Sequence, residues 1–308
     1  MSRKHFLIYA GIILGMVFWA FSFIWFKMAN MYYPPITIVL GRLTISSVFL
    51  YLFTRITGTL QTLQKKDRLH IVILSLFNPF LYFIGESYGL TYVSSSIGAV
   101  IISTIPLFTP FAAHYFLKEE LSIMNYIGIF LSFFGVLLIL YQPGKWQVSW
   151  QGLAFLLFAV FCAVAYTVRL TKLSFRYNAL SLITWQNSLG ALLFIPLFLV
   201  IDFPTVSSIS WSWKYFIPVL ELAVFASSFS FVLFAIGVKH IGAARTNIFS
   251  YIIPALTVIF AYFILDEALT LKKITGIFIV ITGLFLAQIK SRFLKKMMNR
   301  LTGTPFQN

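Results

Sequence analysis

Two charged side chains stand where hydrocarbon is expected. Glu86 lies inside the apolar run "PFLYFIGESYGL" (79–90), and Arg42 lies within another apolar run. A charge held at mid-bilayer costs about 2.5–3.5 kcal/mol on insertion scales, so such residues mark functional routes or compensating pairs. Of the eight acids, Asp67, Glu119, Glu120, Asp202, Asp266 and Glu267 fall in loops or at the ends of apolar runs; only Glu86 and Glu221 fall within them. Counted inward at about 1.5 Å per residue, Arg42, Glu86 and Glu221 reach similar depth. Arg42 can therefore meet either acid. On a route for solutes, Arg42 would attract a carboxylate or another anionic group. Glu86 would take an amine or a coupling proton. The competing reading is an ion pair that only joins two helices.

Asn78, Tyr82 and Glu86 recur every four residues, a polar stripe on one helical face that lipid cannot satisfy. Trp19 and Ser22 share a face of the first apolar run, Tyr166 lies in the sixth, and Asn247 and Tyr251 share a face of the ninth. Gln186 stands seven residues after Ala179, as Arg42 stands seven after Pro35. Each of these is more often a packing or helix–helix contact than a ligand. Together they describe an aromatic-walled, weakly polar cavity suited to small amphipathic solutes.

The elements that position these residues follow from composition. The 308 residues are 60% hydrophobic and only 10% charged, against about 25% charged in soluble domains. The chain is an all-α, multi-pass membrane protein. With about 20 apolar residues needed per crossing, ten spans are expected near 6–27, 35–54, 70–91, 96–117, 124–141, 152–171, 180–201, 215–238, 243–265 and 273–290. The first run exceeds the 7–15 residues of a signal-peptide core and lacks a small-residue cleavage site, so it reads as a retained span. Of the 23 Lys and Arg, 17 fall on the side of the N-terminus and five on the other, with Arg42 inside a span. The excess places both termini in the cytoplasm and the chain in the cell (inner) membrane.

Positions 89–140 and 237–288 match without a gap, pairing Gly89 with Gly237, Pro106 with Pro254, Leu117 with Leu265, Glu119 with Glu267, Gly128 with Gly276 and Gly135 with Gly283. A repeat is indicated. Five spans per copy is an odd number, so the second copy enters the membrane from the opposite face. Two inverted five-helix repeats result, residues 1–146 and 147–290, followed by a basic cytoplasmic tail, 291–308, suited to anionic lipid. Inverted repeats place the binding site at their interface and give a route to alternating access. Pro106 and Pro254, near mid-span, are candidate hinges. Gly11/Gly15, Gly85/Gly89 and the seven-spaced Gly128/Gly135 and Gly276/Gly283 mark close-packing faces, one of which leaves a homodimer contact open.

The runs "YYPPITIVLGRLTISSVFL", the prolines of the fourth and ninth spans, and the twin "LKEELS" and "LDEALT" segments with their following glycines resemble the EamA-type branch of the drug/metabolite transporter superfamily. The resemblance covers all ten spans. It implies a carrier that moves small metabolites, amino acids or related compounds among them, often outward. The first copy carries Lys118-Glu119-Glu120 where the family commonly has Gly-Glu, which weakens a glycine-dependent turn there.

Other classes fit less well. The net charge of +15 sits in loops and ends with no stripe of stacking aromatics, so no nucleic-acid partner is expected. One cysteine, Cys162, allows no disulfide framework or cysteine cluster, and His5, His70, His114 and His240 show no ligand spacing. No HExxH, Walker loop or paired aspartates supports zinc hydrolysis or ATP use. No cofactor or metal is expected. The expected partners are a small-molecule substrate, the lipid bilayer and a coupling proton. The alternatives are a lipid-carrier flippase of the same fold and, from another class, a membrane-embedded enzyme.

Overall fold

The structure, a computed structural model, describes residues 3–119, 122–140 and 149–288. The basic tail and Glu120 lie outside the described residues. Among those described, all regular structure is helical. Eight helical stretches are long and apolar enough to cross a membrane: α1 from His5 to Asn30, α2 (Pro35–Ile56), α3 (Lys65–Tyr92), α4 (Ser95–Leu117), α6 (Trp150–Ser174), α7 (Ala179–Val206), α8 (Trp213–Ile241) and α9 (Ala243–Leu265). Two more, α5 (Ile123–Leu140) and α10 (Leu271–Gln288), have 18 residues each. Large apolar side chains such as Phe111, Phe134, Phe263 and Phe278 stay exposed on the outside of the bundle, where lipid replaces water as the neighbour.

The turns follow local chemistry. Pro35 opens α2, where a missing N–H costs nothing. Asn178 and Ser149 accept backbone N–H groups at the starts of α7 and α6. Lys118 and Asp266 end α4 and α9 with left-handed φ of 58° and 54°. The turn that sequence tied to glycine therefore forms with other residues. Its strain, about 1–3 kcal/mol per residue, is borne at both equivalent positions.

Three spans are interrupted. In α3, Asn78 is extended (φ −147°, ψ 121°), as expected of a residue forced out of the helical region by the following Pro79. In α4 the helix ends at Ile102 and restarts at Ile105, and in α9 a 3₁₀ turn spans Phe249–Tyr251. Pro106 and Pro254 thus occupy the first turn of a new half-helix rather than mid-helix. There their missing N–H breaks no intrahelical bond, so the interruptions precede the prolines.

The halves join through reciprocal contacts. Glu119, just past α4, accepts the N–H groups of Ala243 (2.8 Å) and Ala244 (3.1 Å) at the start of α9. Glu267, just past α9, accepts from Ser96 Oγ (2.5 Å) at the start of α4. Asp202 in α7 accepts from Thr37 N at 2.7 Å in α2, while Asn178 and Ser181 at the start of α7 donate to Thr59 O beyond α2. The helices α5 and α10 pack so closely that a Cβ on Gly135 would lie 2.8 Å from Gly276 O. Glu119→Ala is expected to strip two acceptors from the start of α9 and cost about 0.5–2 kcal/mol, read as a lower unfolding temperature of the purified protein.

Candidate functional site

The breaks converge on a cavity of about 60 Å³ at the centre of the bundle, between α1, α2, α3, α4, α6, α8 and α9. Its wall includes Trp19, Ser22, Arg42, Asn78, Tyr82, Glu86, Tyr166 and Asn247, all expected from sequence to share one space. Phe23, Phe83, Ile102, Ile105, Ala163, Phe231, Phe234 and Ile253 supply the apolar surface.

Arg42 is 2% exposed. Its Nε donates to Ser227 Oγ at 2.8 Å, and its guanidinium lies 4.3 Å from the centre of the Phe83 ring. A planar cation stacked on an aromatic face and held by one directional bond has a fixed orientation. Glu86, 8% exposed, accepts a 2.7 Å hydrogen bond from Tyr82 OH. Arg42 and Glu86 make no direct ion-pair contact, although each lies within the electrostatic reach of the other. Sequence left their pairing open; the structure turns both onto the same cavity, each held by a neutral neighbour instead.

Ser227 belongs to a wide-turn helical segment, Leu222–Ser230, in the middle of α8. Wide turns leave carbonyls without their usual partner, and in a membrane only protein can supply one. Trp19 Nε1 donates to Ala226 O (3.2 Å), Asn187 Nδ2 to Ser227 O (2.7 Å), Ser228 Oγ to Ala223 O (2.8 Å) and Ser230 Oγ to Phe225 O (3.0 Å). Asn187 also donates to Ser46 Oγ (2.8 Å), which shares a 2.7 Å bond with Ser228. This buried network fixes the platform on which Arg42 rests.

Several expectations need correction. The stripe Asn78–Tyr82–Glu86 is not one continuous helical face, because the chain breaks at Asn78; the three still line the same cavity. Gln186 lies behind the wall, where its Oε1 accepts from Tyr166 OH at 3.0 Å. Tyr251 packs in a separate apolar cluster with Val100, Ile129 and Val280. Glu221, half-buried, is off the cavity. Sequence reasoning missed Ser227 and Phe83, the two groups that orient Arg42. The signal was present in "ASSFS", a cluster of hydroxyls inside an apolar run that needed an explanation. Thr167 and Ser250 also reach the wall, with Thr167 Oγ1 accepting from Asn247 at 3.4 Å.

The model of a family described as the EamA-like transporter family matches this chain twice, over residues 6–141 and 150–288. The chain belongs to the EamA-like transporter family. Relatives named as uncharacterized transporters align over most of their length. A protein of Archaeoglobus fulgidus is 25% identical over 89% of this chain and 95% of its own. YoaV of Bacillus subtilis is 24% identical over 90% and 94%, and YetK of the same organism 28% identical over 80% and 76%. A solved crystal structure superposes with a TM-score of 0.77 over 95% of this chain and 99% of that one, at 16% identity, a likeness of fold alone. The EamA-like chain is thus a multi-pass membrane transporter, with two buried charged groups, Arg42 and Glu86, on the wall of its cavity.

Proposed function

We propose that this transporter carries small metabolites bearing both a carboxylate and an amine, amino acids or close relatives, outward across the cell membrane by alternating access without nucleotide hydrolysis. The observation that carries the reading is that Arg42 and Glu86 face one shared cavity without a direct ion-pair contact, which leaves room for a solute between the two charges. Arg42 presents a cation to the carboxylate. Glu86 accepts the amine, or a proton in its absence, with Tyr82 as its relay. The cavity of about 60 Å³ is several times the roughly 10–15 Å³ needed to admit one water. That favours a solute of few heavy atoms over a polyprenyl lipid carrier.

Two inverted five-helix repeats with both termini in the cytoplasm are the frame for this reading. The double family match at 6–141 and 150–288 supports it. So does the exchange of like contacts: Glu119 caps the start of α9 and Glu267 contacts the start of α4, with Asp202–Thr37 answered by Thr59–Ser181. Antiparallel partners related by an axis in the membrane plane would produce such reciprocity.

Purified protein screened by thermal shift against pooled amino acids and their derivatives tests the proposal. Wild type is expected to be stabilised by at least one zwitterion. Glu86→Gln keeps an acceptor for Tyr82 but removes the charge, and is expected to lose about 1.5–3 kcal/mol of that stabilisation. Equal shifts in Glu86→Gln and wild type would overturn it.

A further inference from the structure

Two small clusters at opposite ends of the bundle repeat each other's geometry. In the first, the N–H of Gln64 donates to Tyr177 Oη at 3.1 Å, Tyr177 donates to Asp67 Oδ2 at 3.0 Å, and Arg176 Nη1 binds Asp67 Oδ1. In the second, the N–H of Ser212 donates to Tyr33 Oη at 3.2 Å, Tyr33 donates back to Ser212 O at 3.3 Å, and Tyr32 stacks on Tyr215 with ring centres 4.9 Å apart. Gln64 and Asp67 lie 148 residues before Ser212 and Tyr215; Tyr32 and Tyr33 lie 144 before Arg176 and Tyr177. The clusters are therefore repeat counterparts, one ionic and one aromatic.

Each ties the ends of two helices that line the cavity. The first joins the start of α3 to the end of α6, and the second joins the end of α1 to the start of α8. Each pair is also packed backbone to backbone alongside the cavity. A Cβ on Gly85 of α3 would lie 2.6 Å from Phe155 O of α6, and one on Gly15 of α1 would lie 3.5 Å from Ser230 O of α8. Between that contact and the cluster, each pair holds an irregular stretch, the break at Asn78 in α3 and the wide-turn segment Leu222–Ser230 in α8. A pair packed backbone-to-backbone beside the cavity, irregular next to it and joined by polar or aromatic contacts at its end opens most readily at the joined end.

The geometry points to a pair of gates: Tyr177–Asp67–Arg176 closes the cavity toward the cytoplasm and Tyr33–Ser212 with Tyr32–Tyr215 closes it toward the outside. Transport breaks one at a time while the small-residue clamps serve as fulcrums. The contacts of both clusters are formed in the structure. The inference rests on the inverted arrangement proposed above, because only that places the clusters on opposite faces.

Matched single-oxygen deletions test it. In a Cys162→Ser background with Ser22→Cys as cavity reporter, a membrane-impermeant thiol reagent is applied to right-side-out and inside-out vesicles. Tyr177→Phe is expected to raise labelling from the cytoplasmic face about two- to tenfold, the population shift worth one hydrogen bond, and not from the outer face. Tyr33→Phe is expected to do the reverse. Arg176→Ala, which removes a half-exposed partner, should act in the direction of Tyr177→Phe. Unchanged rates in all three overturn the gates and leave the inverted repeat standing. If Tyr177→Phe and Tyr33→Phe both raise labelling from the same face, the inverted arrangement falls with them.

Discussion

Arg42→Ala is expected to abolish measurable solute exchange while leaving folded protein in the membrane. Arg42 is held by two neighbours. Its Nε bond to Ser227 and its position over Phe83 use one edge and one face of the guanidinium. The remaining N–H groups carry the charge that an incoming carboxylate would meet. A hydrogen bond to a charged group contributes about 1.5–3 kcal/mol, so its loss predicts a ten- to hundredfold weaker solute affinity. Removing the cation also leaves Glu86 as an uncompensated acid in the cavity. Arg42→Lys separates charge from geometry. An ammonium keeps the charge but neither stacks as a plane on Phe83 nor donates from the Nε position. Its exchange rate at a fixed solute concentration in proteoliposomes should fall between that of wild type and the background level of Arg42→Ala.

Gly85→Ala is expected to be strongly destabilising, because the added methyl would meet the backbone of α6. Its Cβ would lie 2.6 Å from Phe155 O and 3.0 Å from Ala159 N, both main-chain atoms of α6 that cannot rotate away. Overpacking costs about 1–3 kcal/mol in well-packed cores, and a backbone obstacle puts this case at the upper end. The helices α3 and α6 must separate along their clamp, which displaces Tyr82, Glu86 and Tyr166 together. Gly11→Ala is the contrast. Its Cβ would meet Leu233 Cδ2 at 3.1 Å, the mobile end of a side chain, so its effect should be less than half as large. Unfolding temperatures of the two variants in one detergent decide the comparison.

The helical runs and most of the cavity wall were legible in the sequence, for a simple physical reason. Hydrocarbon thickness sets helix length, and a costly polar group in an apolar run must face protein. That logic found Arg42, Glu86, Tyr82, Asn78, Trp19, Ser22, Tyr166 and Asn247. It could not say which helices touch, because lipid tails are as apolar as a helix partner and leave the two faces alike in composition. Gln186 illustrates the limit: its counterpart relation to Arg42 put it at the right level, yet Tyr166 stands between it and the cavity. Tyr251 and Glu221 went astray because helical spacing gives a face but not what the face meets. The break at Asn78 was readable from Pro79. The one at Ser103–Thr104 was not, since nothing before Pro106 forbids a helix.

The central claim is that one cavity, held between Arg42 and Glu86, is the path of the solute. Counterflow into proteoliposomes loaded with an unlabelled amino-acid mixture, using the same mixture radiolabelled outside, measures this directly. Wild type is predicted to accumulate label, and Arg42→Ala and Glu86→Gln each to fall to the level of empty liposomes at equal protein density. Accumulation by both variants at the wild-type rate would contradict the account.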